Sequence, residues 1–522
     1  MRYSHSQQRH AVPASAGPAN QRPGAERLPS PEILRLAAVV VLGAIMTILD
    51  ATIVNVALPT LGREFHTTIA TIQWVPTIYL LSFAAVIPLS GWASERFGAK
   101  RVWLASLGAF MLGSLLAGLS PSIGALMAAR VVQGLGGGMI MPLGQTFLAR
   151  AAGPERMGRV MSIVGVPMLL APIFGPVIGG AIVGAASWRW IFFVNLPVGV
   201  LAVALAVRLL PAVPPRRQER LDALGLGLLS GGIAVFLYGL AEIARTGSIA
   251  DPASLPALLG GIALVAAFGW HALRTENPLL DLRLFVHRGF AAAAATNLVL
   301  GVALFGVALL LPLYFQIVRG RGPLETGLLL LPQGLGAACA MPIAGILTDR
   351  IGARRVVPAG VCLALAGTAA YTQIAASTPY ALLAAALFVI GAGLGATITP
   401  SMAVAYAGLA RDAVPRATST LNVIQRIAGS LGTTLLAVVL QRSIDARLPG
   451  FHGSLARAGA MAAANPGGTL PPLAHAFGMT FWVACGLTAA GLIPALLLPS
   501  ADAKHASLPQ RAVNLRDRGA RS

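Results

Sequence analysis

Acidic residues are scarce in this chain: 18 Asp and Glu stand among 522 residues, and charged side chains of both signs make up only 11%. A soluble globular protein carries roughly 25% charged residues, so a water-exposed surface of this size is excluded. Cysteine is almost absent as well. Cys339, Cys362 and Cys485 lie singly in apolar runs, with no paired spacing suited to a metal or a redox couple, and are expected to be small packing residues. No GxxxxGK[ST] phosphate loop, HExxH or GxSxG occurs, which argues against an ATP-driven pump and against an intramembrane enzyme. No metal site and no cofactor are expected. The first 30 residues hold no hydrophobic stretch, so no cleavable signal is expected and the first span serves as its own insertion signal.

Long apolar runs are abundant instead. Hydrophobic residues make up 56% of the chain and the mean hydropathy is +0.75. A helix of about 20 apolar residues crosses a ~30 Å hydrocarbon core, and backbone groups in lipid need partners within their own segment. The expected fold is therefore an all-α polytopic membrane protein. Fourteen candidate spans fall near 36–58, 70–92, 102–119, 123–147, 160–183, 188–209, 223–243, 256–273, 290–316, 325–347, 356–375, 380–403, 420–440 and 477–499.

The net charge of +20 resembles a nucleic-acid signature, but the basic residues are confined to short loops and tails, without a basic domain able to grip nucleic acid. With the amino terminus inside, 28 of the 38 Lys and Arg fall on the cytoplasmic side, 8 on the outer side and two, Arg130 and Arg426, in spans. That bias orients both termini toward the cytoplasm. Nucleic acid is thus not an expected partner; a small-molecule substrate and membrane lipid are, and a periplasmic adaptor is left open.

An internal repeat organises the chain. "GWASERFGAKRV" (91–102) and "GILTDRIGARRV" (345–356) align at a constant offset of 254. Gly91, Glu95, Arg96, Gly98, Lys100 and Arg101 match Gly345, Asp349, Arg350, Gly352, Arg354 and Arg355. The copies stand eight spans apart, which implies a six-span unit used twice with two extra spans between, the parallel-repeat plan of secondary transporters. The expected divisions are a cytoplasmic tail (1–35), an amino-terminal six-helix bundle (36–210), a linker with two extra spans (211–285), a carboxyl-terminal bundle (286–500) with an outer loop at 441–476, and a second tail (501–522).

Three further segments complete a pattern. "GVPMLLAPIFGPVIGG" (165–180) places Gly175 and Gly179 at a spacing that permits close helix approach, and its prolines favour a bend. "RVVQGLGGGMIMP" (130–142) puts Arg130 inside the fourth span. "WRWIFFVNLPVG" (188–199) opens the sixth with residues suited to an interfacial anchor. With the duplicated loop and "LNVIQRIAGSLGTTLLAVVL" (421–440), these segments make the chain resemble a fourteen-span drug:proton antiporter of the major facilitator superfamily, the EmrB/QacA type, over about residues 35–500. The loop copies resemble the family's Gly-x-Leu-Ala-Asp-Arg-x-Gly-Arg-Lys turn, although Trp92-Ala93-Ser94 and Glu95 depart from it in the first copy. The resemblance implies two six-helix bundles plus two inserted helices and a proton gradient as driving force. It also implies cytoplasmic gate loops at both copies and an antiporter motif at Gly165, Pro172, Gly175, Pro176, Gly179 and Gly180. For Arg426, snorkelling to the cytoplasmic interface is the favoured reading.

One acid stands apart. Asp50, in "LGAIMTILDATIVNVALP" (42–59), is deep in the first span while the other seventeen lie in tails, loops or last turns. A charge there is costly and marks a partner or a functional cavity. Burial disfavours the ionised form of a carboxylate and a nearby guanidinium favours it, so a group balanced between the two can load and release protons. The surrounding "LDATIVNVALP" resembles the family's first span, where this Asp is associated with proton coupling; Arg130 is the expected tuning charge, with snorkelling as its alternative. Asn55, Gln73, Trp74, Tyr79 and Gln145, with Tyr314 and Gln316 from the other half, are candidates for lining the substrate cavity. The expected function is a proton-coupled exporter of lipophilic drugs; the rival readings are a dedicated exporter of one metabolite and a non-transporting sensor.

Overall fold

The apolar runs fold as helices throughout the computed structural model, which describes residues 31–499 except 213, 215–219, 247–250, 408, 410–412, 449–460 and 463. Both tails, 1–30 and 501–522, and part of the 441–476 loop lie outside the described residues. Among those described, twelve helices are long and apolar enough to cross a membrane, against the fourteen expected. The two expected spans missing from that set have specific reasons.

The first is 70–92. Here the chain forms three short helices, α2 (Ile69–Ile72), α3 (Trp74–Val86) and α4 (Leu89–Ala93). They are separated at Gln73 and at Ile87–Pro88, where proline removes a backbone donor. α3 alone is apolar but only 13 residues long.

The second is 160–183. It belongs to a single helical stretch, α6 (Ile123–Ala185), of 63 residues, which runs from α5 (Ala99–Gly118) toward α7 (Trp190–Phe193) and α8 (Asn195–Leu209). At 1.5 Å per residue it would extend about 95 Å if straight, three times the thickness of a hydrocarbon core. Its ends instead meet. Leu126 near its start and Ile178 and Ile182 near its end pack in one apolar cluster with Leu61 and Trp188. Gly144 lies against Val40, whereas Gly175 and Gly179 lie against Thr52 and Ile53, farther along α1 (Pro31–Glu64). α6 therefore doubles back as two arms, both packed on α1.

Trp103, Phe110, Tyr79 and Phe83 fill the amino-half core. The inserted pair, α9 (Ala223–Thr246) and α10 (Ser254–Arg274), joins that same core through Leu229, Ile233, Leu240 and Phe268. The carboxyl half comprises α11 (Arg288–Leu313), α12 (Pro323–Ile351), α13 (Ala353–Ala370), α14 (Tyr380–Tyr406), α15 (Val414–Asp445), α16 (Pro466–Ala490) and α17 (Leu492–Leu496). Its own core centres on Tyr314, Phe315, Tyr371, Phe477 and Phe481. α9 also touches the seam between halves: Tyr238 stacks on Trp74 at 5.8 Å, and Thr434 of α15 donates to the Leu240 carbonyl at 3.2 Å.

The sequence repeat has a backbone counterpart. Gly98 and Gly352, 254 positions apart, have φ of 88° and 81° and immediately precede α5 and α13 respectively with the same reversal. That region of backbone space is essentially closed to residues with a Cβ. The matched glycines are there because the turn requires them.

Candidate functional site

Asp50 sits inside a closed polar cage assembled from four helices. Arg130 Nη1 donates to its Oδ2 at 2.5 Å, and both side chains are 0% exposed. Its Oδ1 accepts from Gln133 Nε2 at 2.7 Å and from Asn195 Nδ2 at 3.0 Å. Arg130 Nη1 also donates to Gln133 Oε1 at 2.7 Å. Ser114 Oγ accepts from Gln133 at 3.1 Å and from Asn195 at 2.9 Å, and donates to the Phe192 carbonyl at 2.9 Å. The face of Tyr79 lies 4.0 Å from the Arg130 guanidinium, and the Tyr79 hydroxyl donates to the Thr47 carbonyl at 3.2 Å.

The local sequence explains why the cage closes. Arg130 and Gln133 are three residues apart on α6 and so share a face. The glycine run that follows brings α6 onto its neighbours: a Cβ at Gly134 would stand 2.6 Å from the Tyr79 carbonyl oxygen, and one at Gly136 would collide with Phe110 of α5. Small residues at such contacts let helix backbones approach closely enough for short side chains to bond across them. Ser114 reaches Gln133 and Asn195 for that reason.

The chemistry is one-sided. A carboxylate only accepts hydrogen bonds, and a protonated carboxyl must donate one. The three side chains bonded to Asp50 all donate to it, so the cage offers a bonding pattern that suits a carboxylate. An unpaired charge left in such a place costs several kcal/mol, so the paired charges and their donors tie α1 to α6 and α8.

Of the residues marked in sequence, Asp50, Arg130 and Tyr79 come together here. Gln133, Ser114 and Asn195 are not among the residues expected from sequence, although each is a polar residue within an apolar run, the same signal that marks Asp50. Gly175 and Gly179 press the return arm of α6 against Thr52 and Ile53, just past Asp50, and Gly165 lies near Met341 of the other half. Gly180 faces open space, and the side chains of Pro172 and Pro176 lie outside the described residues.

The duplicated loops behave differently from each other. In the first, Arg416 Nη2 donates to Glu95 Oε2 at 3.1 Å across the seam, and Gly91 packs against Ser419 and Pro415. Lys100 donates to the Val207 carbonyl at 2.7 Å within its own half, while Arg96 is half-buried and Arg101 exposed. In the second, Gly345 and Gly352 are buried, Arg350, Arg354 and Arg355 are exposed, and the Asp349 side chain lies outside the described residues.

Three of the seven residues proposed for a cavity, Tyr79, Gln145 and Tyr314, are buried with partners of their own. Tyr314 is buried in the carboxyl-half core, its hydroxyl on the Ala375 carbonyl at 2.9 Å. Gln145 is held by Asn422 at 2.7 Å. Trp74, 38% exposed, stacks on Tyr238, and Asn55, Gln73 and Gln316 are exposed. Tyr79 belongs to the cage. The cause is general: polar groups in apolar helices bond to whichever neighbour packing supplies, and spacing along one helix does not disclose it.

Helical architecture, paired halves and a caged intramembrane charge pair are the features of a membrane transporter rather than an enzyme. The Major Facilitator Superfamily model matches residues 40–433, and the chain belongs to that family. It is 41% identical to the "Multidrug resistance protein B homolog" of Mycobacterium tuberculosis, over 95% of this chain and 96% of that one. It is 34% identical to the "Methylenomycin A resistance protein" of Streptomyces coelicolor, over 77% of this chain and 85% of that one. Among solved structures, the proton:xylose symporter XylE superposes with a TM-score of 0.56 at 14% identity, covering 90% of this chain and 96% of that one. That likeness concerns the fold alone.

Proposed function

We propose that this chain is a drug:proton antiporter of fourteen spans, set in the cytoplasmic membrane with both termini inside, which exports lipophilic small molecules by alternating access. The observation that carries the reading is the Asp50 cage: a carboxylate held only by donors at the junction of α1, α6 and α8, a bonding pattern that a proton on Asp50 would disturb. The names of these two relatives, both resistance proteins, support drug efflux. The count of fourteen is supported by α3 and the return arm of α6, which would bring the twelve long apolar helices to fourteen if both cross the membrane.

In this reading the halves are in contact at their cytoplasmic ends. Ser90 and Ser419 share a hydrogen bond of 2.8 Å, Arg416 pairs with Glu95, and Asn422 donates to Gln145. Substrate release and proton uptake occur from the outer side. Protonated Asp50 releases its donors, the seam at Ser90 and Glu95 parts, and the proton leaves to the cytoplasm as substrate enters.

The test is drug-driven proton movement in everted vesicles carrying the wild type or Asp50→Asn at equal expression. Wild-type vesicles are expected to dissipate an imposed pH gradient when lipophilic drugs are added, and D50N vesicles not to respond. A D50N response equal to wild type would place coupling elsewhere.

A further inference from the structure

Arg426 on α15 is the second arginine within the membrane spans, and its side chain does not turn toward the interface. Its guanidinium lies 4.2 Å from the ring centroid of Phe83, on the opposite half of the protein. Phe83 stands seven residues before Ser90 and Arg426 seven residues after Ser419, and the two serines bond to one another. Two helical turns place Arg426 about 10 Å deeper in the bundle than that contact. One turn below it, Asn422 is engaged with Gln145.

Arg130 and Arg426 thus flank one aromatic pair. Arg130 stacks on Tyr79 at 4.0 Å, Tyr79 meets Phe83 at 5.8 Å, and Phe83 carries Arg426. The two guanidinium groups differ in one respect. Arg130 is fully enclosed and paired with Asp50, so neither charge of that pair is presented to a ligand. Arg426 is half-buried and faces the seam. No described carboxylate pairs with it, and the titratable side chain it faces is the phenol of Tyr79. An arginine inside a membrane bundle is ordinarily matched by an anion or lines a polar pathway, and a ring face compensates only a fraction of a desolvated charge.

We propose that Arg426 is the anion-recognising group of the substrate pathway, where it takes the carboxylate of an amphipathic organic acid while the acid's apolar body lies along Phe83. A charge-assisted hydrogen bond to a carboxylate is strong and directional in such surroundings. A cationic substrate would meet repulsion at the same point. The inference rests on the export reading above and narrows its substrate class.

The experiment uses the full chain in lipid nanodiscs and three probes that share a pyrenylbutyl body: the carboxylate, the alcohol and the trimethylammonium. Binding is read by fluorescence anisotropy. Wild type is expected to bind the carboxylate about tenfold more tightly than the alcohol, with the ammonium weakest. Arg426→Gln removes that preference, bringing carboxylate affinity down to that of the alcohol, whereas Arg426→Lys retains part of it. Equal binding of all three probes by wild type, no binding of any, or an equal loss for all three in R426Q overturns the proposal. Should R426Q fail to yield folded protein, the wild-type ratio and R426K decide. Alcohol-driven proton movement in vesicles separates the two claims. Antiport without acid preference removes the anion site alone, and acid preference without proton movement by any probe removes the antiport reading alone.

Discussion

Ser90 and Ser419, 329 positions apart in the chain, share a hydrogen bond of 2.8 Å where α4 meets α15, and Glu95 and Arg416 pair just beside them at 3.1 Å. These contacts join the halves at the end of the bundle that carries Gly98. Any motion that opens this end must break both.

A cysteine pair at Ser90 and Ser419, in a background lacking Cys339, Cys362 and Cys485, is therefore expected to cross-link on mild oxidation. The cross-linked protein should not transport, and reduction should restore it. Gel mobility and uptake into everted vesicles read the two halves of this prediction. Cross-linking without arrest would mean that this seam does not open during transport.

Arg130→Ala leaves Asp50 buried without its counter-charge and is expected to destabilise the protein by about 3–5 kcal/mol. Neutralising both, as Asp50→Asn with Arg130→Gln, should recover a substantial part of that loss because no unpaired charge remains. Thermal unfolding of the two single variants and the double variant in one detergent gives the coupling energy. Additive losses would deny the pair its structural role.

Asn195→Ala removes one donor to Asp50 and one to Ser114. Leaving these buried acceptors short of a partner costs about 1–3 kcal/mol. Transport should fall while the protein still inserts, and Asn195→Asp, which sets a second acid beside the first, should be more damaging than Asn195→Ala. Drug-driven proton movement, normalised to the amount of inserted protein, checks the order.

Gly98→Ala and Gly352→Ala each force a Cβ into a backbone conformation with φ above 80°, at about 1–3 kcal/mol apiece. Because the two turns lie in different halves, their losses should add. Denaturation midpoints of the two single variants and the double variant measure this. A large loss from one and none from the other would deny the turns their equivalence.

The apolar periodicity, the repeat at Gly91 and Gly345, and the isolation of Asp50 and Arg130 as charges within hydrophobic runs were all legible in the amino-acid order. Each is a property of one residue in its own segment: a charge in hydrocarbon is costly whatever surrounds it, and a turn that excludes Cβ atoms calls for glycine in both copies. Which partner satisfies a charge is a property of pairs. Asp50 meets Gln133 and Asn195 across 83 and 145 positions, and only helix packing decides those distances. The same holds for the doubling back of α6, which keeps a helical backbone where sequence predicts two separate spans. It holds too for Arg426, which lies against Phe83 of the opposite half instead of reaching the interface. Composition determined that this chain lives in a membrane and where its rare charges fall; tertiary structure alone decided which of them are neutralised and which faces the seam.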